Sequence, residues 1–171
     1  MAEKVKTMPY EEAWRKAQED YLIAVGCLYN HLLEEYGEEA LVKYLEEIEV
    51  DRFRKYFNET ISGMAKAFAK LAPGKAFEEK MKSIGYEFQF FLGVNNIEME
   101  ELGQEMAVAR LVECPYQKAI ENSPADMGLN RDLYCKYQCG RYIRKLCEDV
   151  LGFSIEFDPQ EQGCIYRVTR N

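Results

Sequence analysis

"IEMEELGQEMAVARLVEC" (residues 97–114) is where the chain changes its period. Upstream, apolar residues recur every three or four positions; here they alternate, and Gly103-Gln104 separates two alternating runs. A period of two marks a half-buried strand, and two such runs around a short glycine-containing turn mark an antiparallel hairpin. The spacing predicts strands over 97–102 and 105–114, with Met106, Val108, Val112 and Cys114 sharing a face of the second.

Outward from this hairpin the first half reads as helix. From Thr7 or Met8 to about Tyr36, the positions Trp14, Ala17, Tyr21, Ala24, Leu28 and Leu32 trace an apolar stripe, with Pro9 in the first turn and Gly37 at the end. A second helix is expected over 38–48. A third runs from Asp51 as N-cap through Phe53, Phe57, Ile61, Met64 and Phe68 to Leu71, stopped by "APG" (72–74). A fourth, over about 75–92, carries Phe77, Met81, Ile84, Phe88 and Phe91. Downstream, a short helix starts at Pro115, Asn130 can cap a longer one ending near Gly152, and "FSIEF" (153–157) with "CIYRVT" (164–169) forms a second hairpin around "DPQEQG". The expected fold is α+β: N-terminal helices packed with a four-stranded antiparallel sheet made of two hairpins flanking a helix. One domain over residues 1–171 suits the length, with a helical part (1–94) and a part carrying the hairpins and most cysteines (95–171).

Composition narrows the function classes. The net charge of -8 is concentrated upstream: residues 1–110 carry 14 basic and 21 acidic side chains, residues 111–171 carry 8 and 9. A surface of that sign repels phosphate backbones, so nucleic acid is not expected as a partner. The start "MAEKVKTMPYEEAW" lacks a signal-type apolar region, and the longest apolar run, "YLIAVGCLY" (21–29), is under half a membrane span. The expectation is a soluble, cytoplasmic protein with no membrane partner. Its six cysteines are then reduced thiols, suited to metal binding or reactivity more than to a disulfide framework.

Strand phase brings Cys114 to the end of one strand and Cys164 to the start of another, while Cys135 and Cys139 sit four apart near a helix start. Four thiolates satisfy tetrahedral zinc or an iron–sulfur cluster, although Cys-x20-Cys-x3-Cys-x24-Cys matches no compact zinc-ribbon or ferredoxin spacing. The alternatives are small apolar packing, expected above all for Cys147, and nucleophilic reactivity at Cys135. The helix start, Lys136 and Arg131 would favour a thiolate there. Cys27 and His31 share a helical face, either as half a metal site or as simple packing.

The order "RLVECPY" (110–116), "LYCKYQC" (133–139) and "GFSIEFDPQEQGCIYRV" (152–168) resembles the L-2-amino-thiazoline-4-carboxylic acid hydrolase-like family and, more distantly, the 4-vinyl reductase-type ligand-binding domains. The resemblance covers about residues 95–169. It implies a strand, helix and closing hairpin around Cys114, Cys135 and Cys164, and either hydrolysis of a C–N bond or zinc-supported ligand sensing. Where the hydrolase-like family commonly carries an aspartate, this chain has Gln138, followed by the extra thiol Cys139; Glu156 and Asp158 are candidate oxygen ligands in the hairpin. Two functions follow as expectations. One is a small C–N hydrolase with Cys135 or a metal-bound water as the reacting group, Arg131 and Arg141 holding a carboxylate and Tyr116 and Tyr134 lining the pocket. The other is a ligand sensor or carrier in which zinc or an iron–sulfur cluster on Cys114, Cys135, Cys139 and Cys164 ties the hairpins to the helix. Either takes a small-molecule partner, and the acidic helical half is a candidate homodimer contact.

Overall fold

A computed structural model of the chain describes residues 9–60, 67, 70–92 and 96–171. It is α+β, with a four-stranded antiparallel sheet in the order β1-β2-β4-β3. The strands are β1 (Ile97–Leu102), β2 (Met106–Leu111), β3 (Phe153–Pro159) and β4 (Cys164–Arg170). Each hairpin pairs internally, and β2 joins them by pairing with β4; Glu100 bulges from β1 between the Met99 and Glu101 pairs.

Helix α1 (Tyr10–Lys43) is broken at Gly37, whose φ of 82° and ψ of 174° lie outside helical space. The expected stop is therefore a kink. The expected cap at Asp51 is absent, because Tyr44–Glu49 continues as π-helix directly into α2 (Val50–Thr60) with Val50 itself helical. Helix α3 (Pro73–Leu92) starts two residues before the expected 75. The expected helical positions Ile61, Met64 and Phe68, the start at Thr7 or Met8, and the side chains of Phe88 and Phe91 lie outside the described residues. Helix α4 (Pro115–Asn122) opens on Pro115, and a 3-10 turn (Ala125–Met127) follows. The long helix α5 (131–151) is capped by the Asn130 side chain, which accepts from the Leu133 amide at 2.8 Å, and ends at left-handed Gly152. Much of α5, Tyr134–Ile143 and Cys147–Leu151, is wound as π-helix, a winding that is rare and frequent at functional sites.

Two sides of α5 are covered. One lies with α3 on the sheet, in a core of Phe77, Met81, Ala107, Cys147, Phe153, Ile155 and Val168. The other meets α1 and the π-turn through Tyr29, Leu41, Leu45, Leu133 and Tyr137. The expected stripe on α1 is displaced: Tyr21 and Leu28 are exposed, and Gly26 and Tyr29 are buried instead. The cause is Gly26, where an added Cβ would stand 2.1 Å from the Tyr134 hydroxyl; that hydroxyl donates to the Leu22 carbonyl at 2.8 Å. Contact with α5 fixes the rotation of α1, overriding the amphipathic count. On β2 the inward side is Ala107, Ala109 and Leu111, so Met106 and Val108 lie on the opposite face. Two alanines under α5 leave room that larger side chains would fill.

Candidate functional site

Antiparallel register sets the inner face of the sheet in rows. Ile97 pairs with Leu111, which pairs with Cys164; Met99 pairs with Ala109, and Ala109 with Tyr166, opposite Phe157; Ala107 pairs with Val168, opposite Ile155. Side chains directly opposite one another share a face, so Cys164 and Tyr166 both point toward α5. At the Cys164 end the chain is tightly tied. A Cβ on Gly163 would stand 1.9 Å from the Leu111 carbonyl oxygen, so only glycine lets the β3–β4 turn lie against the end of β2. The Cys114 amide donates to the Gln162 carbonyl at 2.7 Å. Arg131 reaches from the start of α5 to the same turn, donating to the carbonyls of Glu161 at 3.2 Å, Gly163 at 3.1 Å and Gln160. Strand end, turn and helix start are thereby joined, with Cys135 one turn beyond Arg131.

Beside this junction lies a cavity of about 240 Å³ between the sheet, α3 and α5. Its walls are apolar, with Met81, Ile97, Ala109, Ile143, Phe153 and Ile155 among them. Its polar contributors are Tyr116, Tyr166 and the two thiols Cys139 and Cys147. Tyr116 stacks on buried Tyr134, ring centroids 4.7 Å apart, and Tyr166 packs edge-on against Phe157 at 5.3 Å. Among the described residues neither the Tyr116 nor the Tyr166 hydroxyl has a hydrogen-bond partner. This contrasts with the phenols on the other side of α5, where Tyr29 donates to the Gln138 side chain and Tyr134 to the Leu22 carbonyl. Gln138, at the position where the resemblance implies an acid, thus faces α1 and not the thiols.

Burial dominates the electrostatics. It pushes the Cys139 thiol well up, with Cys135, Cys114 and Cys164 adding in that order. Cys164 is raised to about 11 by burial, then by Cys135 and Cys114. Tyr166 and Tyr116 rise for the same first reason, with Cys139 the largest charge neighbour of each. In each case burial is the first cause, and the neighbouring thiols only add to it. The expected activation of Cys135 is reversed: burial raises it first, Cys114 adds, and the hydrogen bond with Arg131 only opposes. Lys136 gives no help, because it pairs with Glu38 at 2.8 Å and lies over the Tyr137 ring. All four cysteines are free and half-buried.

The remaining expected residues disperse. Arg131 is engaged by turn carbonyls, and Arg141 pairs with Glu46 at 3.3 Å. Tyr134 is fully buried behind Tyr116. Cys27 meets Met127 at 4.0 Å while His31 is exposed and edge-on to Tyr36, so the two form no couple. Glu156 is exposed, and Asp158 pairs with Arg167 at 3.6 Å. Cys147 is buried in the core. Sequence reasoning missed Tyr166 and the two alanines; the alternation Ala107-x-Ala109 opposite an aromatic strand was the available signal.

In chemistry, four thiols suit a soft or borderline metal. In position, among the described residues no three His, Cys, Asp or Glu side chains stand together as a metal-holding group. No helix among the described residues is long and apolar enough to cross a membrane. Comparison of the chain with protein-family models, with curated proteins and with solved structures finds no match in any of the three.

Proposed function

We propose that this chain is a cytoplasmic small-molecule-binding protein, a sensor or carrier, that holds a largely apolar ligand between α3, α5 and the sheet. One observation carries the reading: an apolar cavity of about 240 Å³ lined by two phenols, Tyr116 and Tyr166, whose hydroxyls have no hydrogen-bond partner among the described residues. Apolar walls supply affinity and a few convergent polar groups supply orientation, which is the usual division of labour in ligand sites. The test is a ligand-observed NMR screen of uncharged, ring-sized fragments against the parent and Ala109→Leu, which fills the cavity from its floor. Fragments that bind the parent and not the variant support the reading. A parent that binds none, or a variant that keeps them all, sinks it.

A second reading rests on the resemblance and on the chemistry of four half-buried thiols, Cys114, Cys135, Cys139 and Cys164: a zinc or iron–sulfur site beside the cavity. Such a metal would join the hairpins and α5 where Arg131 already joins them. Elemental analysis of protein purified without oxygen tests it, and absence of stoichiometric zinc, iron or sulfide would end it. Hydrolysis of a C–N bond, which the resemblance implies, rests on Cys135 with Arg131 beside it. Equal turnover by a folded Cys135→Ser variant on substrates that the parent hydrolyses would remove that role.

A further inference from the structure

We propose that the cavity selects uncharged ligands that carry one hydrogen-bond-accepting oxygen on a body about the size of a substituted benzene ring, and that it refuses carboxylates. This deepens the cavity reading and rests on it.

Size comes first. A dry cavity of about 150 Å³ accommodates benzene. At about 240 Å³ this one has room for a ring and a short substituent. Polarity comes second. Tyr116 from α4 and Tyr166 from β4 line the cavity with hydroxyls that have no partner among the described residues; a phenol is a stronger donor than acceptor, so an acceptor oxygen is the better complement to both. An oxygen of a carbonyl, ether or alcohol completes them.

Charge comes third, and it decides the class. Among the described residues no Lys, Arg, His, Asp or Glu lines the cavity. Among the described residues the titratable groups at the lining are Tyr116 from α4, Tyr166 from β4, and Cys139 and Cys147 from α5; β1, β2 and β3 contribute none. Two nearby cations are committed elsewhere. Arg131 is bound to three turn carbonyls, and the Lys80 amine on α3 donates to the Leu151 carbonyl at 2.6 Å and lies over the Phe57 and Phe153 rings. Neutral donors do not offset the desolvation of a full negative charge, and an acid in such surroundings takes up a proton instead. Carboxylic acids therefore enter only in protonated form. The amino-acid carboxylate implied by the hydrolase resemblance is the wrong charge class for this cavity.

The test is calorimetric titration of the whole chain with ethylbenzene, acetophenone and benzoate at pH 6, 7 and 8. Acetophenone should bind with pH-independent affinity, and ethylbenzene about fivefold more weakly for want of an acceptor. Benzoate should bind about 100-fold more weakly than acetophenone at pH 7, and lose about tenfold more per pH unit. Tyr166→Phe, and then Tyr116→Phe with it, should erase the advantage of acetophenone over ethylbenzene. Benzoate within tenfold of acetophenone at pH 7, or an acetophenone preference that survives both substitutions, overturns the charge and acceptor rule while leaving the cavity reading standing. Failure of all three to bind overturns the rule, and the fragment screen with Ala109→Leu then decides the cavity reading separately.

Discussion

The two sides of α5 are built from similar residues and put to different use. On the side facing α1, Leu41 and Leu45 are 0% and 1% exposed, and the Tyr134 ring lies so close to Gly26 that no side chain fits between. Three phenols there have partners: Tyr134 donates to Leu22, Tyr29 to Gln138, and Tyr44 to Glu49 at 2.6 Å. On the side facing the sheet, alanines stand where leucines would fill, and the phenols of Tyr116 and Tyr166 look into a cavity. A filled seam with satisfied hydroxyls holds a structure together. An open layer with unsatisfied ones is equipped to receive something.

The contrast can be broken by mutation. Gly26→Ala places a Cβ 2.1 Å from the Tyr134 hydroxyl and 2.8 Å from Leu129, so it should destabilise the protein by about 3 kcal/mol through overpacking and a lost hydrogen bond. Urea unfolding measures it, and a loss under about 1 kcal/mol would mean that the seam is not closely filled.

Alkaline pH sharpens the contrast next, because the thiols Cys147 and Cys164 lie on one side and the phenols Tyr44 and Tyr142 on the other. Folded Cys164 and Cys147 are raised to about 11 and about 12 from an ordinary 9.0, burial first in each case. A group with a raised folded pKa contributes stability below its unfolded pKa and loses it as pH climbs toward the folded one. Stability should therefore begin to fall near pH 9, before Tyr44 and Tyr142 of the seam, raised from 10.0 to about 12, contribute to the fall. In Cys147→Ala/Cys164→Ser protein the fall above pH 9 should be shallower, the raised thiols of Cys135 and Cys139 accounting for what remains; an unchanged slope would detach Cys147 and Cys164 from stability.

Smaller effects separate the two sets of phenols. Tyr134→Phe leaves the Leu22 carbonyl without its donor and should lower stability by about 1 kcal/mol. Tyr166→Phe removes a hydroxyl with no partner, and in the free protein should change stability by less than about 0.5 kcal/mol. Equal losses would show that the Tyr166 hydroxyl is already satisfied. Last, Ala109→Leu should be neutral or stabilising by a few tenths of a kcal/mol, roughly the gain of filling space. Marked destabilisation in thermal unfolding would argue that the floor of the cavity is already packed.

Legibility in the sequence followed the range of the interaction. The hairpins were plain because a period of two and turn residues are local, and Asn130 and Gly152 announced the ends of α5 for the same reason. The break at Gly37 was legible as well. Its nature as a kink was not, because packing of the following turns on α5 decides whether two helices part company. Strand phase predicted Cys114 on a face with Met106 and Val108, whereas β2 ends at Leu111 and buries Ala107, Ala109 and Leu111 instead, with Cys114 at the start of α4. The electrostatics at Cys135 were not legible either: neighbours along the helix suggested a thiolate, whereas burial by distant elements outweighs them.

By itself, the sequence determined the α+β class, the two hairpins, Cys164 at the start of a strand and Cys135 near a helix start, all of which follow from short-range periodicity and backbone capping. Tertiary structure alone decided which face of α1 is buried, that Arg131 clamps a turn, and that Ala107 and Ala109 lie beneath a space lined by Tyr116 and Tyr166. The physical reason is that a cavity is a difference between the volumes of several elements, and no single element carries that difference in its own pattern.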